Sequence, residues 1–206
     1  MTADERPKTI HDFYGFPKAL FDMEYPAPGD PKLAGRVREL LAPLDVRPDR
    51  SWGLDHGTWS VLVHVYPDAD IPVLQLSIDA TKPGQFHYDL GAKLAPLRDE
   101  GVLVAGFGNV VHNLQAMRRT RDAPPFDWAV RFEDEVRKAL VERDHDALVH
   151  YERFGEDARL SVPTPEHYLP LLYVAGLQRG GEAAAIAIDG IDLGSISMLT
   201  AVIGAS

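Results

Sequence analysis

Two short apolar runs with helical sequence between them constrain this chain more than any other feature. Residues 71–78 (IPVLQLSI) and 102–111 (VLVAGFGNVV) are aliphatic, partly β-branched and too short for buried helices, so both read as buried strands. Residues 86–97 between them carry amphipathic helical spacing, with Gly101 as the stop. Upstream, Asp30 and Pro31 predict a helix start, with Leu33, Val37, Leu40 and Leu41 on one face. Asp55 is placed to cap a second helix through Trp59, Leu62, Val63 and Tyr66, which Pro67 stops. Further helices are expected at 126–142, 144–151 and 165–177. Residues 184–188 and 197–203 read as two strands, antiparallel at a sheet edge. Residues 1–30, crowded with Pro, Gly and aromatics, read as ordered but irregular. The strand–helix order predicts an α/β fold, three layers deep with a mostly parallel or mixed sheet, in one domain spanning 1–206. Only two runs look fully buried, so the sheet is expected to be short of strands.

Several chemistries are excluded by composition. The chain has no cysteine, so disulfides, thiolate metal sites and a Cys nucleophile are ruled out, and any metal must be held by imidazole and carboxylate. A net charge of −10 leaves no basic stripe to neutralise phosphates, which argues against nucleic acid. Arg118, Arg119 and Arg121 form the nearest thing to a basic cluster, either a solvated helix end or loop, or a group that meets a substrate carboxylate. No apolar run approaches the roughly 20 residues that cross a bilayer, and residues 1–9 are too polar for a secretory signal. A cytoplasmic protein without a membrane partner is the expectation. The sequence also lacks a P-loop, a dinucleotide turn, a Gly-x-Ser-x-Gly elbow and a His-Glu-x-x-His pair.

Among the eight histidines, three stand out by setting. His112 follows the end of the 102–111 run, and the carboxyl ends of parallel strands are where open α/β sheets place ligands. His167 sits in PTPEHYLP at an expected helix start, with Thr164 as its N-cap, a position that favours neutral imidazole. His56 follows Asp55, which either orients the imidazole or simply caps the helix. Each also has a bland reading as a hydrogen-bonded structural histidine. His145 and His150 lie in a charged stretch and read as solvated, while His87 and His11 are less informative.

Four ordered blocks, TIHDFYGFPKALFDMEYPAPGDP, WGLDHGTWSVLVHVYPDADIPVLQLSID, LRDEGVLVAGFGNVVHNL and PTPEHYLPLLYVAG, resemble the DOPA 4,5-extradiol dioxygenase branch of the class III extradiol ring-cleavage dioxygenases. The similarity runs from about residue 5 to the end. It implies an α/β/α domain with one non-haem divalent metal, Fe(II) for turnover or Zn(II) as bound. The implied partners are a catechol-type small molecule and O2, and the implied reaction opens the ring beside its two hydroxyls. By motif match, His112 and His167 correspond to metal-site histidines, with His112 alternatively a proton-transfer residue. His56 matches an acid/base or substrate-contact histidine. Phe13, Tyr14, Trp59 and Tyr168 are candidates to pack on the ring.

The resemblance also carries a departure. Family members begin with a further stretch containing two strands, one ending in His-Gly-Ser-Pro and the other in Ser-Ala-His-Trp, each with a metal ligand. Neither motif occurs here. The domain is therefore expected to be N-terminally incomplete, through a start placed too far downstream, a genuine truncation, or a site completed by a partner. The first is favoured. The competing functional reading is a catalytically inactive α/β remnant that binds an aromatic ligand or a partner. A zinc hydrolase ranks below both, because no water-activating carboxylate is clearly placed.

Overall fold

A computed structural model describes residues 1–120 and 123–204. Its contacts divide the chain into two compact units, Met1–Ser77 and Ile78–Ser206.

In the first unit the chain start is pinned by parallel backbone pairing. Thr2 bridges to Asp49 and Thr9 to Leu54, and Asp49 N–H donates to Met1 O at 2.8 Å while Leu54 N–H donates to Lys8 O at 2.8 Å. Apart from the single turn α1 (Lys18–Phe21), the first thirty residues are irregular, as expected. Helix α2 (Pro31–Leu41) starts where the sequence predicts. Asp30 accepts from the N–H groups of Lys32 and Leu33 at 2.9 Å each, satisfying donors that the helix leaves orphaned. Ala34, Val37 and Leu41 are its buried face. Helix α3 (His56–Val65) is capped by Asp55 through Thr58 N–H at 3.1 Å and ends just before Pro67. Its Trp59 packs with Phe13, Tyr25, Ala27, Leu54 and Ala69 in the unit's core.

In the second unit, α4 (Gly84–Leu94) runs into a 3₁₀ turn, Ala95–Glu100, which ends at Gly101 with φ 77°. Then come α5 (Asp127–Glu142), α6 (His145–Val149), a 3₁₀ turn Tyr151–Phe154 and α7 (Glu156–Ser161). The last of these helices has no counterpart in the sequence reading. The single helix expected at 165–177 is split into a 3₁₀ turn, Pro165–His167, and α8 (Leu169–Gly176). Helix α5 buries Ala129, Phe132, Val136, Ala139 and Leu140, a 3.6-period stripe, against a core that includes Leu148, Tyr168 and Leu172. Helices α4 and α8 approach so closely at Gly91 that a Cβ there would overlap the Tyr173 carbonyl oxygen. No helix among the described residues is long and apolar enough to cross a membrane.

The mixed helix–strand character expected of an α/β chain is present, but strands are few. β1 (Ala184–Ile188) pairs antiparallel with β4 (Thr200–Ile203), and β2 (Ile191–Asp192) with β3 (Ile196–Ser197). The expected tail strands are therefore antiparallel as read, with Ser197 assigned to the second pair. The two runs expected to be buried strands are not strands in the structure. Residues 71–77 make isolated bonds, Val73 N–H to Pro28 O and Thr2 N–H to Gln75 O, rather than a ladder. Residues 102–107 form neither helix nor strand and carry no ladder among the described residues, and Leu103 is 72% exposed. Only Val110 and Val111 of that run are buried. An apolar, β-branched sequence favours an extended backbone, but a ladder also requires a neighbouring backbone.

Candidate functional site

The sequence-predicted histidines fall in both units. In the second unit, the segment 108–113 is threaded past the turn before α8 on one side and β3 on the other. Asn109 N–H donates to His167 O at 2.9 Å, and His112 N–H to Ser161 O at 2.9 Å. Ser197 N–H donates to Val111 O at 2.9 Å, and Asn109 Nδ2 to Ser197 O at 2.7 Å. Gly108 has no side chain for a reason, since a Cβ would overlap the His167 carbonyl oxygen.

This threading brings together two residues 55 positions apart in the chain, as their numbers show. The His112 and His167 imidazoles lie face to face, centroids 3.5 Å apart and planes 15° from parallel. Burial, and then the field of His167, hold His112 down to about 4 against an ordinary 6.5. Its ring is neutral at pH 7, with a lone pair free of a proton. Beside the pair, partial burial opposes ionisation of Glu166. The Thr164 hydroxyl, the residue's own N–H and the two imidazoles outweigh that and keep its carboxyl below the ordinary range.

Two facing imidazoles, His112 among them neutral at pH 7, offer the donor type that a borderline divalent metal takes. Their number does not complete a site: among the described residues no group of three His, Asp or Glu side chains is placed to hold an ion. His112 and His167 thus supply the donor type of such a site but not its full number.

The expected capping role of Thr164 is corrected. Its hydroxyl makes no cap and donates instead to Glu166 Oε1 at 2.6 Å, because the chain enters a 3₁₀ turn before α8 begins. Tyr168, expected to face a substrate ring, is fully buried and donates to Leu148 O at 3.0 Å. His145 is not simply solvated. It bridges the Tyr88 hydroxyl at 2.9 Å and Gln178 Oε1 at 2.6 Å. His87 is fully buried beside the Tyr173 hydroxyl, and burial lowers its pKa. Arg118 donates to Pro124 O at 2.6 Å and lies over the Phe126 ring, so it is engaged locally. Arg121 of the same cluster lies outside the described residues.

In the first unit, His56 is the first residue of α3 and is half exposed. Its Nδ1 lies 2.8 Å from Asp12 Oδ1, which also accepts its backbone N–H at 3.0 Å. Partial burial opposes ionisation of Asp12, but these bonds from His56 prevail and its carboxyl sits below the ordinary value. Phe13 meets the His56 ring edge-on at 5.6 Å. Trp59 is core rather than ring platform: it is 1% exposed and donates Nε1–H to Ile10 O at 2.8 Å. Asp12 is the residue that sequence reasoning missed. Asp55 adjoins His56 in sequence, whereas the carboxylate that reaches the ring comes from 44 residues upstream. No local signal could have found it.

A family model described as "Catalytic LigB subunit of aromatic ring-opening dioxygenase" matches residues 1–187. The chain belongs to this family. It is 52% identical over 208 residues to the 4,5-DOPA dioxygenase extradiol of Escherichia coli (strain K12), covering 99% of this chain and 76% of that protein. It is 40% identical over 194 residues to the 4,5-DOPA dioxygenase extradiol of Beta vulgaris, covering 92% of this chain and 71% of the relative. The crystal structure of an uncharacterized Escherichia coli K12 protein superposes with a TM-score of 0.82 at 46% identity, over 97% of this chain and 82% of that one. That likeness supports the α/β fold class, and the family match spans both histidines of the stacked pair.

Proposed function

We propose that this chain is an extradiol dioxygenase-type protein that opens a catechol-type aromatic ring with O2. The observation that carries the reading is the stacked His112–His167 pair within the family-matched region. His112 and His167 are the residues that would hold a single non-haem divalent metal, Fe(II) for turnover or Zn(II) as bound. Such a metal, when present, supplies a centre where a catecholate and O2 meet. The low pKa of His112 favours a ligand role over a base, because a group near 4 is a weak proton acceptor at pH 7. His56 is assigned the proton exchange with the catechol hydroxyls. Its imidazole has one nitrogen bonded to Asp12, and its ring is half exposed. We further propose that residues 1–206 act as one domain in the cytoplasm. A family match that runs through both units supports the first part, and the lack of a membrane-crossing helix among the described residues is compatible with the second.

Oxygen uptake by the Fe(II)-loaded chain with a simple catechol tests the reading. Uptake with a new absorbance from the ring-opened product is expected, and replacing His112 or His167 with Ala should abolish it. Metal analysis of protein purified without added metal distinguishes Fe from Zn. No oxygen consumption at any Fe(II) loading would overturn the enzyme reading. It would leave the alternative of a ring-binding protein without catalysis, testable by titrating the chain with a catechol.

A further inference from the structure

The first unit holds a carboxylate–imidazole pair, Asp12 and His56, joined through a single carboxylate oxygen. Asp12 Oδ1 receives two bonds, from the His56 backbone N–H at 3.0 Å and from the His56 ring at 2.8 Å. A backbone N–H can only donate, so the oxygen it meets is an acceptor. Asp12, held below the ordinary carboxylate range, is ionised and has no hydrogen to give, so the same oxygen also accepts from the ring, which in a neutral His56 means the Nδ1–H form. Nε2 is left with its lone pair and has no hydrogen-bond partner among the described residues. A free neutral histidine side chain prefers the opposite form, with the hydrogen on Nε2. The carboxylate reverses that preference.

The pair is anchored on both sides. His11 bonds Met23 O through Nε2 at 2.9 Å and packs its ring 5.6 Å from that of Trp59. Trp59 Nε1–H in turn donates to Ile10 O at 2.8 Å, so residues 10–13 are pinned to α3. Phe13 borders the His56 ring edge-on at 86°. Asp55, the carboxylate adjacent in sequence, is engaged elsewhere, accepting from Thr58 N–H and from the Gln75 side chain.

We infer that Asp12 is a positioning residue, which holds His56 as the Nδ1–H form and leaves Nε2 as the proton acceptor. The inference rests on the proton-exchange role given to His56 under the proposed function. In that role Nε2 takes a proton from a catechol hydroxyl, leaving a catecholate and an imidazolium. The Asp12 carboxylate offsets the new positive charge, and the same Nε2 later returns the proton.

Nitrogen-15 spectra of the full chain at pH 8, with the His56 ring assigned, test this without turnover. The wild type should show a protonated Nδ1 and a bare Nε2. Asp12→Asn should keep that form, because the His56 backbone N–H still demands an acceptor oxygen at that place. Asp12→Ala should let the ring shift toward Nε2–H. In the Fe(II)-loaded protein, Asp12→Ala should lower kcat about 10- to 100-fold, part of the roughly 10²–10⁴ that acid–base catalysis supplies, with KM moving less. A wild-type Nε2–H form, an unchanged ring in Asp12→Ala, or a tautomer switch in Asp12→Asn would each overturn the inference. A switched ring with unchanged kcat would overturn the positioning role. Full turnover in His56→Gln would instead overturn the role of His56 itself, leaving the tautomer result standing on its own.

Discussion

Replacing His112 with Gln should flatten the acid limb of this protein's stability. In the folded chain, burial and the His167 field hold His112 at about 4, whereas an unfolded histidine titrates near 6.5. Between those values the unfolded state binds more protons, so stability rises with pH. The contribution of the neutral ring is fully present above about 6.5 and is lost as pH falls through the window to about 4. At about 1.4 kcal/mol per tenfold, the full displacement corresponds to roughly 3 kcal/mol. The ring is only partly buried, and solvent screening reduces this to about 1–2 kcal/mol. Urea unfolding at intervals from pH 7 to pH 4, with chelator present to remove metal linkage, measures it. Wild type should lose about 1–2 kcal/mol more than His112→Gln across that range. Carboxylates away from the pair cancel in the difference, while Glu166, which His112 helps to hold low, contributes a small residual. A His112 Hε1 titration should have its midpoint near 4, moving part of the way upward in His167→Gln, since burial remains the larger cause. Parallel stability curves for the two proteins between pH 6.5 and pH 4 would show that the fold does not hold the His112 ring neutral.

Two further predictions concern how the stacked pair is held. Gly108→Ala places a methyl group against the His167 carbonyl, so the Asn109–His167 backbone bond should lengthen; stability should fall by about 1–3 kcal/mol, read by urea unfolding, and amide exchange at Asn109 should accelerate. Glu133→Ala should cost about 1–3 kcal/mol, because this buried carboxylate accepts from Ser197 Oγ at 2.5 Å and Gly190 N–H at 2.9 Å. Faster amide exchange at Gly190 would mark the same loss of the hairpin tether.

Helix starts and amphipathic faces were legible because they depend on neighbours in sequence. Asp30 and Asp55 cap the helices that follow them, and α5 buries the stripe its spacing indicates. Where the outcome depended on distant backbone, local pattern misled. Residues 102–108 have strand-like composition without a ladder. The helix read across 165–177 breaks before Leu169, where Asn109 engages the carbonyl of His167.

The same division runs through the histidines. Motif blocks in a fixed order carry the family in the sequence alone, and they contain His56, His112 and His167, the histidines proposed for the chemistry. Only the tertiary structure stacked His112 on His167, because a hydrogen-bonded thread and a close glycine contact join segments far apart in the chain. It also chose Asp12 over Asp55 as the partner of His56. Side-chain direction at a helix start sends the adjacent carboxylate to the Thr58 backbone N–H of its own helix, and leaves the ring to whatever the fold brings beside it.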